Sequence, residues 1–213
     1  MALTKVDISM LEDAGSSGQV LTSDGTNWTS AAAAAGGAWT KIATTVASND
    51  PTLGVSGLDS TYDLYCICGS EIISATDNVN GEMRFGDSSG FDSGGTDYQY
   101  AVYGSMSGSS WDDREYYTQG ASSIRITESA AGRFGTSTGE AFGCVLWLTR
   151  PADGTSYPTI GGTCGYTGHG GGSGFIILGG ARKSAIVLDR IQIFAASGNI
   201  ASGRLTVWGV SHA

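Results

Sequence analysis

Ala185-Ile186-Val187-Leu188-Asp189-Arg190-Ile191-Gln192-Ile193-Phe194 decides the fold class together with two adjoining stretches: Ala195-Ala196-Ser197-Gly198-Asn199-Ile200-Ala201-Ser202-Gly203, then Arg204-Leu205-Thr206-Val207-Trp208-Gly209-Val210. Val187, Ile191 and Ile193 share one parity, and Arg190 and Gln192 take the other. After the Gly/Ser/Asn segment, Leu205 and Val207 alternate with Arg204 and Thr206. Alternation with period two, rich in β-branched residues and bounded by turn signals, predicts a pair of strands. Val187, Ile191, Ile193, Leu205 and Val207 are expected to face the core, with the loop 197–203 at one end of the domain.

The upstream chain must supply the sheets that this pair closes. Further strands are predicted at 39–47, 62–73, 82–85, 98–105, 122–127, 142–149 and 157–163. The run 175–178 reads as a short buried strand. Glycine contributes 34 of 213 residues and proline only 3, without the Gly-x-y period of collagen. Such a composition suits short strands joined by turns. The expected fold is all-β: a jelly-roll-like antiparallel sandwich preceded by a short, mostly extended N-terminal anchor. Residues 86–97 and 105–120 read as long polar loops.

Three parts are expected. Residues 1–30 carry a small hairpin, 19–22 against 27–29, with Asp24-Gly25 supplying the positive φ of its turn. A hairpin this short needs a docking surface or a copy of itself. Residues 31–37 form an Ala/Gly linker, and residues 38–213 form the β-domain, large enough to fold without staples.

The formal net charge of −9 argues against nucleic-acid binding, which needs a basic footprint. No run approaches the ~18 apolar residues of a membrane span, so no membrane insertion is expected. The first eleven residues hold Lys5 and Asp7 without an apolar signal-peptide core, which implies synthesis in a cytoplasm. Cys66, Cys68, Cys144 and Cys164 then read as buried free thiols. Cys66 and Cys68 share one face of a strand, but no further ligands accompany them to complete a zinc site. No cofactor is implied.

Two strands are apolar on both faces. Phe142, Cys144, Leu146 and Leu148 oppose Val145 and Trp147; Leu64, Cys66 and Cys68 oppose Tyr65, Ile67 and Ile73. A sandwich strand normally shows water on one side. The pattern predicts a covered outer face, by a loop or by another subunit, and favours a homo-oligomer.

Catalytic signals are weak, and no enzyme is expected. His169 lies in a glycine run lacking the spacing of a phosphate loop. His212 is near the end of the chain. No Gly-x-Ser-x-Gly elbow occurs. Asp112 and Asp113 stand beside Trp111, Tyr116 and Tyr117. Carboxylates among aromatic rings suit sugar binding, and less readily glycoside cleavage, while the plain alternative is a solvated acidic loop. Asp87, Asp92 and Asp97 lack the spacing of a calcium loop.

Gly18-Gln19-Val20-Leu21-Thr22-Ser23-Asp24-Gly25-Thr26-Asn27-Trp28 resembles a segment recurrent in bacteriophage tail-fibre and other virion fibre proteins. The closing Ile191-Gln192-Ile193-Phe194, Ser197-Gly198-Asn199-Ile200 and Val207-Trp208-Gly209-Val210 is more loosely similar to the last strands of such fibres. The resemblance implies a homotrimeric fibre or spike on a virion's tail or head. Its N-terminus would dock on other virion proteins through Val20, Leu21 and Trp28. Its β-domain would adhere to a host-surface glycan or protein through Trp111, Asp112, Asp113, Tyr116 and Tyr117. A capsid decoration or assembly protein without a receptor, and a carbohydrate-binding β-protein, stand as alternatives.

Overall fold

The computed structural model describes residues 19–23, 28–32, 38–107, 112–127, 133–149 and 151–211; at 19–23, 28–32 and 112–114 the description is of backbone. The chain divides into two units, Met1–Gly37 and Ala38–Ala213. In the first, β1 (Gln19–Ser23) pairs antiparallel with β2 (Trp28–Ala32), Ser23 opposite Trp28 and Val20 opposite Ala31. The second arm thus continues into alanines that the sequence assigned to the linker. Alanine has little preference for strands, but a paired backbone ladder extends as far as its partner does.

The second unit is all-β among its described residues. Its strands are β3 (Trp39–Asp50), β4 (Thr52–Ser56), β5 (Leu64–Ser74), β6 (Gly81–Asp87), β7 (Gly90–Phe91), β8 (Tyr98–Met106) and β9 (Asp112–Ala121), then β10 (Ile124–Arg125), β11 (Ala141–Thr149), β12 (Thr159–Thr167), β13 (Ser173–Arg182), β14 (Arg190–Ala195) and β15 (Ile200–Val210). They build two antiparallel sheets. The larger has eight strands in the order β3-β15-β5-β11-β12-β13-β8-β9. The smaller runs β10-β6-β14-β4, with β7 on β6. The chain crosses repeatedly between them, an arrangement compatible with a jelly roll.

Alternation fills the space between the sheets. Tyr65, Ile67, Leu146, Leu148, Leu205 and Val207 point inward from the large sheet and are buried. Leu53, Val55, Met83, Phe85, Ile191 and Ile193 meet them from the small one. Each such side chain contributes roughly 1.5–3 kcal/mol on leaving water. One polar pin crosses the core: the Tyr98 hydroxyl of β8 accepts from the Phe85 N–H of β6 at 2.9 Å. Carbonyls of Phe85 and Asp92, each 3.1 Å away, can take its proton. The bonds offset the cost of burying the phenol.

The closing strands form, but they do not pair with each other. β14 lies between β6 and β4, and β15 lies between β3 and β5. The short link at 196–199 therefore passes from one sheet to the other. Gly198 there has φ +76° and lies too close to Thr76 for a side chain. The parity was legible for Ile191, Ile193, Leu205 and Val207, all fully buried. Val187 is a correction: it is 57% exposed. β14 begins only at Arg190, and Leu188, whose N–H donates to the Pro151 carbonyl, is buried in its place.

Three further expectations change. Glu71 adopts φ +53°, and the ladder shifts between Gly69 and Ile72. This bulge moves Ile72 into the core and turns Ile73 away from the face that Tyr65 shares. The segment 105–120 is not a loop, since β9 occupies 112–121 on the edge of the large sheet. An edge strand needs no apolar alternation, so its acidic sequence concealed it. Finally, β13 extends over Ser173–Arg182, and its Phe175 and Ile177 are exposed instead of buried.

Leu146→Ala should lower unfolding free energy by about 2–5 kcal/mol in urea titrations. Val187→Ala should stay within about 0.5 kcal/mol. A loss above about 1 kcal/mol at Val187 would restore it to the core.

Candidate functional site

The large sheet turns its second face away from the small sheet, and this outer face is the broadest feature of the domain. Register defines its rows. One runs Thr44, Thr206, Cys68, Val145, Thr163, Ile177, Tyr103 and Glu115 across all eight strands. The neighbouring row runs Lys41, Trp208, Cys66, Trp147, Gly161, Gly179, Ala101 and Tyr117. A row on the other side carries Val46, Arg204, Gly143, Gly165 and Phe175. Val145, Phe175 and Ile177 are exposed at 44%, 46% and 51%.

The face has relief. Trp147 and Trp208 stand either side of Cys66, and the Trp39 ring meets Trp147 edge-on, with centroids 5.6 Å apart at 67°. They make an aromatic ridge. Beside it the surface drops to a floor of Gly161, Gly179 and Ala101, and Tyr117 forms the far wall, 74% exposed. A trough of about 500 Å³ lies there, lined by Gln99, Ala101, Tyr117, Gln119, Thr159 and Gly179. A second hollow of about 320 Å³ sits between Tyr103, Glu115, Tyr117 and Ile177. A third, about 290 Å³, lies over Gly143, Val145, Thr163 and Gly165.

The structure separates the residues that the sequence grouped. Tyr117 belongs to the outer face. Tyr116, one residue earlier, lies opposite Val102 on the inner side, where it packs on Tyr100 with the Arg125 guanidinium 4.3 Å from its ring centre. Asp112 and Asp113 are opposite Met106 and Ser105 in the ladder. Trp111 and His212 lie outside the described residues, as do the side chains of Val20, Leu21 and Trp28.

The other polar candidates are engaged structurally. Arg182 bonds Asp92 at 2.8 Å and lies 3.5 Å from Asp97, tying the loop after β7 to β13. Asp87 accepts from the Ser89 N–H at 2.8 Å. Among the described residues, no three His, Cys, Asp or Glu side chains gather as metal ligands do. His169 Nδ1 is 3.0 Å from Asp77 Oδ2, with both groups well exposed. Sequence reasoning missed the glycine floor and the outward Phe175 and Ile177. The apolar run in β13 reads as a buried strand, and only the register shows that Phe175 and Ile177 face away from the small sheet.

The cysteines sort by face. Cys66 and Cys68 lie outward with sulfurs 3.7 Å apart, while Cys144 and Cys164 are directly opposite each other and buried. All four are free thiols. Burial pushes the Cys66 thiol up to about 12, helped by the neighbouring Cys68. Hydrogen bonding with Cys144, together with burial, raises Cys164 well above its ordinary value.

No family of known proteins, no curated protein and no solved structure matches the chain.

Because the thiolate is the reacting form, Cys66 and Cys164 should resist Ellman's reagent at pH 8. Both should react far more slowly than in the urea-unfolded chain. Equal rates in both states would show that neither thiol is held protonated by the fold.

Proposed function

We propose that this chain is a structural subunit of a virus particle: a homotrimeric phage fibre or spike that docks by its N-terminal hairpin and presents a β-sandwich head for adhesion to a host surface. The observation that carries the reading is the outer face of the eight-stranded sheet. It is a wide apolar and aromatic surface on a rigid support, with shallow hollows, and is suited to being covered by a macromolecule. The resemblance of residues 18–28 to virion fibre segments supports the particle assignment, and puts Val20, Leu21 and Trp28 at the docking end. Adhesion by such a head is multivalent. Several weak sites on one support gain about 10²–10⁴ in avidity through effective concentration. The proposed receptor contacts are Trp111, Asp112, Asp113, Tyr116 and Tyr117, along the edge strand β9 and the residue before it.

A second reading, carbohydrate binding, is favoured by the trough beside Tyr117. An aromatic wall with Gln99, Gln119 and Thr159 around a flat floor offers ring stacking and neutral hydrogen bonds to a sugar.

Antibody against the chain should label fibres or spikes on particles in electron micrographs. Deleting residues 1–30 should leave the head folded by circular dichroism and remove the protein from particles. Particles that incorporate the truncated chain at the normal level would disprove the docking role. Particles that lack the chain altogether would disprove the virion assignment.

A further inference from the structure

Four glycines on the central strands present a question that the fold of one chain does not answer. Gly81, Gly174 and Gly209 are explained from within, because a side-chain carbon at each would lie under 2.5 Å from Phe134, the Ser105 carbonyl or Tyr62. The outward glycines are different. A carbon at Gly165 or Gly179 would meet nothing within 4 Å. At Gly161 it would make only a 3.4 Å contact with the Leu178 carbonyl, and at Gly143 a 3.3 Å contact with that of Gly69. None of the four has a positive φ. Glycine inside a strand costs roughly 0.5–1 kcal/mol relative to alanine. Here that cost makes no room for this chain's own atoms. The space left open lies outside it, over the outer face.

The rest of the face shows what fits there. Sheets stack about 10 Å apart, and two tryptophan ridges set against each other would force them wider. A ridge set into a glycine floor keeps the spacing. The ridge is Trp147 and Trp208, and the floor is Gly161 and Gly179 beside it, so the face carries both halves of one joint. Charge partly follows the same plan, with Asp50 also on β3 and the Lys183 ammonium tied to the Gln119 carbonyl on β9. Lys41 and Arg204 are exposed towards the β3 rim, and Glu115 is exposed at the β9 rim. Laying one copy's β3 half over another's β9 half pairs the ridge with the floor and the cations with the carboxylate. Eight strands at ~4.8 Å and nine residues at ~3.3 Å make a face of about 1,100 Å². A stable interface takes about 800 Å² per partner; a two-fold pair, which joins both halves at once, covers the whole face, while a ring gives each of two contacts about half of it.

We infer that another copy of this chain covers the outer face of the large sheet, the Trp147–Trp208 ridge of one copy seated on the Gly161–Gly179 floor of the next. The contact is satisfied in a closed ring or in a two-fold pair. It rests on the fibre reading for the number of copies alone, since that reading demands three and the face demands only another copy. Tyr117 then belongs to the contact between copies and not to the receptor contacts proposed above, which leaves Trp111, Asp112 and Asp113, at and just before the start of β9, for the host. A glycan is the weaker occupant. The centre of the face is Cys68, Val145, Phe175 and Ile177 with the single hydroxyl of Thr163 among them, which offers a sugar few hydrogen bonds and offers apolar side chains a largely dry seat.

The test is the mass of the full chain by light scattering after gel filtration, from 1 to 100 µM. The expected result is a multiple of 21.8 kDa. Gly179→Val and Ile177→Lys alter open positions, so each should retain the wild-type circular dichroism and thermal midpoint of a folded head while running as a monomer. Glu115→Lys brings like charges together and should raise the dissociation constant by about tenfold or more. Adding Arg204→Glu should recover most of that loss. A wild-type trimer supports both this inference and the fibre reading. A wild-type dimer supports this inference and defeats the trimeric fibre. A wild-type monomer at 100 µM overturns the inference, as does an oligomer that survives both Gly179→Val and Ile177→Lys. A monomer retained on a glycan array and released by Tyr117→Ala would make carbohydrate the occupant and overturn it as well.

Discussion

The large sheet carries apolar side chains on both faces, and everything in this domain depends on how its inner face is covered. The small sheet supplies that cover. Leu53, Val55, Met83, Phe85, Ile191 and Ile193 meet Tyr65, Ile67, Leu146, Leu148, Leu205 and Val207 across the core. Yet the small sheet has half as many strands along its path as the large one and can cover one side only. The outer side of the large sheet keeps Val145, Phe175 and Ile177 exposed, a burial left unmade that is worth roughly 25 cal/mol per Å² of apolar surface.

The closing strands set the order in which the first cover is completed. β15, the last strand, lies between β3, the first strand of the domain, and β5. β14, just before it, is central in the small sheet. The two sheets therefore each wait for the end of the chain to fill an inner position. Contacts this distant in sequence must meet a large loop-closure entropy before they return energy, which makes such a topology slow to fold. During that interval the outer face of the large sheet and the open slots in both sheets expose strand edges. A net charge of −9 on 213 residues provides repulsion against aggregation at that stage.

Legibility followed the physics of each signal. Period two reports which face a residue takes, and it gave the right face at Ile191, Ile193, Leu205 and Val207. It is silent on which strand lies alongside, so a short polar link that joins two sheets read as the turn of a hairpin. Parity also fails wherever one residue breaks the count. The positive φ at Glu71 sends Ile72 inward and takes Ile73 out of the expected series. Edge strands escape notice for the opposite reason: β9 needs only one ladder and carries few apolar residues, so its sequence resembles a loop. Half of the outer face is legible: Trp147, Val145, Cys66 and Cys68 announce a second apolar side of the sheet. The glycine floor was not legible, because a glycine in sequence looks the same whether its space is filled by a neighbour or left open.

The ridge is already in place before anything covers it. Cys66 is an outward residue, yet it is almost wholly buried, and its neighbours in register are Trp147 and Trp208. Trp39 braces Trp147 from the β3 side. Binding costs entropy chiefly where side chains must be immobilised, at about 0.5–1.5 kcal/mol for each flexible one. Trp147, with Cys66 opposite it in the ladder and the Trp39 ring edge-on, is spared part of that cost. Val145 and Ile177 are β-branched and stiff by construction. The flexible groups, Lys41, Arg204 and Glu115, stand towards the rims, where charge pairs set orientation more than affinity. Rigid anchors at the centre and mobile charges at the edges are how binding surfaces distribute their energy.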